Sequence, residues 1–294
     1  MADEVLVSTT ASAMSQLTRA QASGKHYSSG TPPLVPGADG VGRLANGQRV
    51  YFAFPRAPVG AMAQQVAVKA AYTVALPDDI DDVTAAAIAN PAMSSWAALT
   101  ERTQLRKGES VLINGAAGVS GRLAIQIAKH LGAGRVIATA RNPASEAELR
   151  TLGADAFVPL SQSPKALGEH FRAEIAEGVD IVLDYLWGPP AEALLSAANG
   201  HAEGEAARPI RFINIGALAG ASIALPAGVL RSSCVDMMGS GLGSLSNLAL
   251  MRSIGSLMQV VRAVGLTVNA EPVPLSEVES AWTANASGRV VFTL

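Results

Sequence analysis

Two patterns of hydrophobic and polar positions divide the chain. Up to about Ala92, short alternating runs such as Arg49 to Ala53 and Gln65 to Val68 lie among Pro and Gly residues, which is typical of strands in an irregular β domain. From Ser110 to about Gly241, apolar runs alternate with amphipathic stretches, which is typical of a parallel sheet with crossover helices. The pattern therefore predicts an α/β fold with a doubly wound parallel sheet and a second, mainly β part.

The second part is predicted to contain six strands and three helices. Its strands are predicted at Ser110 to Ile113, Arg135 to Thr139, Ala156 to Pro159, Ile181 to Asp184, Arg211 to Ile215 and Val235 to Met238. Its helices are predicted at Gly121 to Leu131, Ser145 to Leu152 and Ala191 to Ala198. Elsewhere we predict helices at Asp82 to Ala89, Leu245 to Val264 and near Glu277 to Ala284, and a closing strand at Arg289 to Leu294.

Composition and charge exclude several classes of protein. The 294 residues are 49% hydrophobic and 16% charged, which is enough apolar surface for two folded domains and excludes a disordered chain. The formal net charge of −2 gives no attraction to nucleic acid or anionic lipid. The uncharged stretch from Phe212 to Leu230 is interrupted by Gly, Asn, Ser and Pro, so we predict a buried strand plus loop there and no membrane span. The acidic start, Met1 to Glu4, is unlike a secretory signal, and a cytoplasmic location is expected.

The chain has a single cysteine and four histidines. One cysteine allows no internal disulfide, and this set argues against a structural zinc site. Cys234 is expected to be a small buried apolar residue rather than a nucleophile.

A glycine-containing loop follows the first predicted strand of the second part. The apolar run ending at Asn114 leads into Gly115-Ala116-Ala117-Gly118-Val119-Ser120-Gly121, and an amphipathic helix follows. In this context Gly118 would admit a pyrophosphate, Gly121 would let the helix pack against the strand, and the helix N-terminus would hold the anion. Ala116 stands where the usual G-x-G-x-x-G fingerprint has its first glycine. The loop predicts a dinucleotide site, and an ordinary strand-to-helix turn is the alternative.

The end of the next strand indicates which dinucleotide is bound. An acidic residue that pairs with the ribose 2′-hydroxyl of NAD is expected there, but the sequence reads Thr139-Ala140-Arg141-Asn142. Without the acid, Arg141 can hydrogen-bond a 2′-phosphate. NADPH is therefore the expected cofactor, and a solvated surface charge is the alternative for Arg141.

Several motifs in order resemble the medium-chain dehydrogenases/reductases, in their zinc-independent quinone oxidoreductase and enoyl reductase branch. They are Pro36 to Gly42, Gly47-Gln48-Arg49-Val50, Gly60-Ala61-Met62-Ala63-Gln64, Asn90-Pro91 with Ser94 to Leu99, and Gly288-Arg289-Val290-Val291. In the zinc alcohol dehydrogenases a zinc-ligating histidine falls at the position of Ala38. The resemblance spans nearly the whole chain, although the pattern before Pro36 lacks about one strand hairpin.

The resemblance implies two domains and a homodimer. Residues 1–93 with 244–294 would form a GroES-like substrate domain, and residues 94–243 a Rossmann NADPH-binding domain. Members of the family often dimerise through an edge strand of the Rossmann sheet, and Phe212 to Leu230 is a candidate contact. The expected cofactor-binding residues are Ala116, Ala117, Gly118, Val119, Ser120, Gly121, Ala140, Arg141, Asn142, Tyr185, Ile215, Gly216 and Gly241.

Without zinc, the expected chemistry is direct hydride transfer to a small apolar electrophile that conjugation already activates, a quinone or an α,β-unsaturated carbonyl. The resemblance places Ser94 near the nicotinamide and makes Tyr27 the first candidate for the proton donor, with Tyr51 and Tyr185 as alternatives. The expected substrate-pocket residues are Ser15, Tyr51, Phe52, Met93 and Leu242.

Two other classes of nucleotide-binding enzyme are excluded because their motifs do not occur in the sequence. A short-chain dehydrogenase requires Tyr-x-x-x-Lys, and none of the four tyrosines has Lys four residues later. A P-loop enzyme requires G-x-x-x-x-G-K-[ST], which does not occur. An NADPH-binding sensor or structural protein with little catalysis stays open, because fold alone does not separate it from an enzyme.

The cofactor prediction is tested by Arg141→Ala. Removing the guanidinium should weaken NADPH binding about tenfold and leave NADH binding unchanged, because only NADPH carries the 2′-phosphate. Dissociation constants for both cofactors, measured on both proteins, check this. Equal affinities for NADPH and NADH in the wild type would contradict it.

Overall fold

The computed structural model describes residues 3–26, 28–199, 208–286 and 288–294. The chain divides into two compact units, one formed by Met1–Met93 with Ser246–Leu294 and the other by Ser94–Leu245. The fold class predicted from the sequence is confirmed: one unit holds a mixed, mainly antiparallel sheet and the other a parallel sheet with helices.

The first unit is built on a seven-stranded sheet. Its strands are β1 (Glu4–Ala13), β2 (Asp39–Leu44), β3 (Arg49–Ala53), β4 (Gln65–Lys69), β5 (Thr73–Ala75), β12 (Ala270–Pro274) and β13 (Arg289–Thr293). The order is β12-β13-β1-β2-β3-β5, with β4 also paired to β1. The C-terminal strand β13 pairs antiparallel with β1, Ala11 opposite Thr293, and buries Phe292 completely. The end of the chain therefore completes the N-terminal sheet.

The helices that begin in the first unit are α1 (Gln16–Ala22), α2 (Asp82–Ala97), α8 (Asn247–Val264) and α9 (Val278–Thr283). Asp82, at the start of α2, accepts hydrogen bonds from Arg49 Nη2 at 2.6 Å and from Thr10 Oγ1 at 2.6 Å. The sequence analysis missed α1, whose N-cap is Ser15, with its hydroxyl accepting from the Thr18 N–H at 2.9 Å. Helix α2 also extends eight residues beyond its predicted end at Ala89.

The second unit is a six-stranded parallel sheet in the order β11-β10-β9-β6-β7-β8. These strands are β6 (Ser110–Asn114), β7 (Arg135–Ala140), β8 (Ala156–Pro159), β9 (Ile181–Asp184), β10 (Ile210–Asn214) and β11 (Val235–Gly239). Numbered within the unit, the order is the 3-2-1-4-5-6 arrangement of dinucleotide-binding sheets, and the order reverses between β6 and β9. All strand carboxyl ends lie along one edge of this sheet.

The helices of this unit are α3 (Val119–His130), α4 (Glu146–Thr151), α5 (Pro164–Glu177), α6 (Gly188–Ala197) and α7 (Ala227–Ser232). The sequence analysis missed α5 because its buried stripe is narrow, with only Leu167 and Phe171 fully inside. A signal for it exists: Ser163 caps the helix by accepting from the Ala166 N–H, and Pro164 follows at the first helical position.

Two expectations about this unit are wrong. Cys234 is exposed rather than buried, because it immediately precedes β11, which is the end strand of the sheet and is itself only partly covered. The stretch from Phe212 to Leu230 is not only strand and loop, since α7 begins at Ala227 within it. Its Leu218 is 71% exposed. Over the described residues, we find no helix with the length and apolar character needed to cross a membrane.

The contribution of α5 to the core is tested by Phe171→Ala. This fully buried ring packs among residues of β6, β7, β9 and α6, so its removal should cost about 3–5 kcal/mol of unfolding free energy. Urea unfolding measures the loss. Glu169→Ala, on the exposed side of the same helix, is the control and should change stability by less than about 0.5 kcal/mol.

Candidate cofactor site

The site begins where β6 ends and the chain turns into α3. Gly115 has φ +96°, a conformation that favours glycine, and Gly118 is the N-cap of α3 with φ −73° and ψ 164°. Among the described residues, no side chain caps this helix. The N–H groups of its first turn are therefore available to an anion, and the helix dipole favours one there.

The two glycines that frame this turn have different surroundings. A Cβ on Gly121 would lie 2.5 Å from Ala116 Cα and 2.5 Å from the Gly115 oxygen, so a side chain there would push the helix off the loop. A Cβ on Gly118 would have one neighbour within 4 Å among the described residues, the Gly115 oxygen at 3.9 Å. Gly121 thus serves close packing, whereas Gly118 leaves open space beside the helix N-terminus.

The remaining loop residues lie on both sides of this turn. Ala116 is fully buried, and its N–H donates to the backbone oxygen of Thr139 at 2.8 Å. Ala117, Val119 and Ser120 are partly exposed. The loop backbone is thereby held to the end of β7. This is the arrangement that a pyrophosphate cradle needs, because the backbone must be fixed before it can present N–H groups.

At the end of β7 the chain passes from buried to exposed. Ala140 is buried, whereas Arg141 and Asn142 are exposed. The Asn142 side chain accepts from the Ala144 N–H at 3.1 Å and caps a short 3₁₀ turn. Arg141 forms no ion pair with any side chain in the part of the chain that the structure describes. Its guanidinium is therefore available to a phosphate.

Beneath the loop, Asp184 is completely buried at the end of β9. Its carboxylate accepts from Asn114 Nδ2 at 2.8 Å and from Asn214 Nδ2 at 3.2 Å. It also accepts from the N–H groups of Leu186 and Trp187, each at 3.1 Å. Burial raises the pKa of Asp184, and these N–H donors oppose the rise. The sequence analysis did not single out these residues, although buried strands that end in Asn or Asp are a usable signal.

Two predicted site residues meet next to Asp184. The Tyr185 hydroxyl lies 3.3 Å from Ser94 Oγ, with Ser94 carried by α2. Burial raises the pKa of Tyr185 to about 12, against hydrogen bonds with Ser94 and Ser95 that lower it. The phenol is therefore protonated at neutral pH and acts as a hydrogen-bonding group rather than as a ready acid.

The loop after β10 is fixed to the same place. The N–H groups of Ile215 and Gly216 donate to the Asp184 backbone oxygen, at 2.7 and 3.1 Å. A Cβ on Gly216 would lie 2.7 Å from the Tyr185 oxygen, so this position needs glycine. Beyond β11, the Gly241 N–H donates to Ser244 Oγ at 2.7 Å, and Leu242 is partly buried.

The predicted residues of the first unit lie in its own interior or turns. The Tyr51 hydroxyl is buried and donates to Asp39 Oδ2 at 2.9 Å. Phe52 is buried in a core cluster with Val7 and Val50. Ser15 is the α1 cap described above, Met93 is partly buried, and Tyr27 lies outside the described residues.

A buried charged pair in the first unit was missed by the sequence analysis. Asp39 is 1% exposed and faces Arg289, at the start of β13. Burial raises the pKa of Asp39 and Arg289 opposes the rise, whereas burial raises the pKa of Tyr51 and Asp39 adds to that effect. Arg289 Nε and Nη2 are buried, with no hydrogen-bond partner among the described residues. The charge of Arg289, on the C-terminal strand, thus acts electrostatically on Asp39 of β2 and on Tyr51 of β3.

We next consider whether the described residues could form a metal site. Among the described residues, no three His, Cys, Asp or Glu side chains come together in a way that could hold a metal ion. The donor set present there does not fit a catalytic zinc, which usually takes three protein ligands.

Comparison with known proteins agrees with this geometry. Residues 120–202 match the family model for zinc-binding dehydrogenases. The chain is 33% identical over 217 residues to a probable NADPH-dependent quinone reductase of Emericella nidulans, covering 70% of this chain and 59% of that protein. It is 31% identical over 206 residues to a 2-haloacrylate reductase of Burkholderia sp., covering 63% of this chain and 60% of that protein. The matched part thus spans about three fifths of both relatives.

A solved structure extends the likeness to the full chain. The quinone oxidoreductase of Thermus thermophilus, which was also solved in complex with NADPH, superposes with a TM-score of 0.78 at 27% identity, covering 100% of this chain and 92% of that one. These similarities support a relationship to the medium-chain dehydrogenase/reductase family. The resemblance to the quinone oxidoreductase branch of that family, which was inferred from the sequence, is confirmed.

The different surroundings of the two loop glycines are tested by alanine substitution. Gly121→Ala should cost about 1–3 kcal/mol of unfolding free energy, because the methyl group meets backbone atoms that cannot move aside. Gly118→Ala should leave stability unchanged or raise it by up to about 1 kcal/mol, since its φ suits alanine and the space is open. Urea unfolding of both variants measures the difference, and equal losses would contradict the described packing.

Proposed function

We propose that this chain is an NADPH-dependent oxidoreductase that transfers hydride to a quinone or an α,β-unsaturated carbonyl without zinc. The observation that carries the proposal is the turn from β6 into α3, with an uncapped helix N-terminus, open space over Gly118 and close packing at Gly121. The names of the relatives, a quinone reductase and a haloacrylate reductase, support the same chemistry.

The residues of the second unit fit NADPH. The N–H groups of the loop and of the first turn of α3 would hold the pyrophosphate, and Gly118 leaves the space that this group needs. Arg141, exposed and without a carboxylate partner among the described residues, would bind the 2′-phosphate. Tyr185, Ile215, Gly216 and Gly241 remain the predicted residues at the nicotinamide end.

Bound NADPH would supply a hydride, which is two electrons and one proton. A quinone that accepts the hydride also takes one proton and leaves as the hydroquinone, while the cofactor leaves as NADP⁺. A conjugated carbonyl accepts the hydride at its β-carbon, and a proton at the α-carbon completes the reduction. Conjugation already lowers the energy of the acceptor, so no metal Lewis acid is required.

The chain's own residues would orient the substrate and supply the proton. Tyr185, whose pKa of about 12 keeps it protonated, would hold Ser94 in place through the hydrogen bond between their two hydroxyl groups. Tyr27 remains the proposed proton donor. Ser15, Tyr51, Phe52, Met93 and Leu242 remain the proposed substrate-pocket residues, with Tyr51 and Phe52 also serving the core of the first unit.

We further propose a cytoplasmic homodimer. Among the described residues, the end strand β11 pairs with β10 alone and leaves its other edge unpaired, with Asp236 exposed and Met237 and Met238 partly exposed. An unpaired edge of this kind is a ready template for pairing with a second chain.

NADPH oxidation followed by its absorbance tests the function, with a panel of quinones, enones and saturated aldehydes. We expect turnover with conjugated acceptors and none with saturated aldehydes, which need Lewis-acid help. Activity should survive chelators, and elemental analysis should find less than one zinc per chain. Turnover that depends on added zinc would contradict the proposed mechanism, and tight NADPH binding without turnover on any acceptor would favour the sensor or structural protein.

A further inference from the structure

The last residues of β6 and β10 and the loop after β9 meet at one buried carboxylate. Asp184 lies where the strand order reverses, and its side chain accepts N–H groups from Asn114, Leu186, Trp187 and Asn214 at 2.8 to 3.2 Å. No cationic side chain of the described residues pairs with it. Backbone and amide dipoles alone balance the charge, so the donors must stay in place as long as the carboxylate is ionised.

One chain of hydrogen bonds leads from Asp184 to the glycine loop. Asn114 Nδ2 donates a hydrogen bond to the Asp184 carboxylate. The Thr139 hydroxyl in turn donates to Asn114 Oδ1 at 2.9 Å. The single hydroxyl proton of Thr139 is thus used, and its oxygen accepts the Gly115 N–H at 3.0 Å. Each link fixes the direction of the next, so the orientation of the Gly115 peptide depends on Asp184, two side chains away.

A second branch reaches the loops that follow β9 and β10. Trp187 has φ +56° and ψ −160°, a conformation that residues with a Cβ rarely adopt, and both carboxylate oxygens of Asp184 accept its N–H, at 3.1 and 3.2 Å. Asn214 donates to Asp184 and also to the Gly216 oxygen at 2.8 Å. The carboxylate thereby holds both the unusual turn that follows Tyr185 and the backbone at Gly216.

Only a carboxylate of this length satisfies the arrangement. Its two oxygens receive all four groups, and every one of them is an N–H donor. An asparagine at position 184 would place its own NH₂ against one set of donors and leave them buried without an acceptor. A glutamate is longer by one methylene in a fully buried site.

We infer that Asp184 is a positioning residue that holds the glycine loop and the loops after β9 and β10 in the conformation that receives the cofactor. Its relevance to NADPH rests on the proposed function. The hydrogen-bond pattern is independent of any cofactor, so the two statements can fail separately.

The test compares Asp184→Asn with Asp180→Asn, a control on the same strand region. Asp180 precedes β9 and accepts from the N–H and hydroxyl of Ser110, both at 2.8 Å, at the opposite ends of the strands. NADPH fluorescence titration should show a dissociation constant about three- to thirtyfold higher for Asp184→Asn and unchanged for Asp180→Asn. Urea unfolding of both variants shows whether their losses of stability are comparable.

Backbone amide exchange of the cofactor-free protein provides the second measurement. Asp184→Asn should speed exchange at Leu186 and Trp187 and also at Gly115, whose amide the Asp184 carboxylate reaches only through Asn114 and Thr139. Asp180→Asn should leave these three amides unchanged. Faster exchange confined to Leu186 and Trp187, or the same change in the control, would overturn the inference.

Thr139→Val is the variant of choice if Asp184→Asn does not fold, because it removes one hydroxyl and keeps the shape of a buried strand residue. It should raise the NADPH dissociation constant about threefold or more and speed exchange at Gly115 and at Leu186. An unchanged dissociation constant with unchanged exchange at Leu186 would refute the coupling. If the wild type fails to bind NADPH, the proposed function fails, and the exchange measurements still decide whether Asp184 holds the loops.

Discussion

A carboxylate without contact to water or to a cation must be surrounded by N–H donors, and this requirement shapes the second unit of the chain. In a parallel sheet the carboxyl ends of all strands lie along one edge, and the loops there have no ladder to hold them. Asp184 supplies the missing acceptor for side chains or backbone groups after β6, β9 and β10. The glycine loop is joined to it through Asn114 and Thr139. The loops at the carboxyl edge of this sheet are therefore held in place by a buried side chain.

The two glycines of the glycine loop, Gly121 and Gly118, have different roles. At Gly121 the absence of a Cβ lets α3 lie against the loop, which aims the helix N-terminus. At Gly118 the same absence leaves space for a ligand and costs the fold nothing. Ala116, at the usual position of the first fingerprint glycine, is buried and its N–H donates to the backbone oxygen of Thr139 on β7, so the open part of the loop begins after it. An alanine can therefore replace the first glycine of the fingerprint without changing the turn from β6 into α3.

The first unit contains a buried ionic group of a different kind. Asp39 on β2 faces Arg289 on β13 and accepts the Tyr51 hydroxyl, so residues from both ends of the chain share one dry site. Breaking such a pair from one side is costly because the remaining charge stays buried. The last strand is fixed in the N-terminal sheet by its pairing with β1, and the buried ring of Phe292 supplies the apolar contact.

The sequence by itself determined the parts of this protein that depend on local pattern. The bounds of β3, β8 and β9, the strand-loop-helix at Asn114 to Val119 and the lack of an acid after β7 could be predicted because each depends on residues close together in the chain. Helix α5 was missed because its apolar stripe is only two fully buried residues wide, and Cys234 was misplaced because an isolated residue carries no periodicity. Tertiary structure alone decided the Asp184 network, the contact of Tyr185 with Ser94 and the pairing of Asp39 with Arg289. The hydrogen-bonded partners are 30 to 91 positions apart in most cases, and only strand order and helix packing bring such groups within hydrogen-bonding distance. Asp39 and Arg289 are 250 positions apart, and the strand order β13-β1-β2 places them in one sheet.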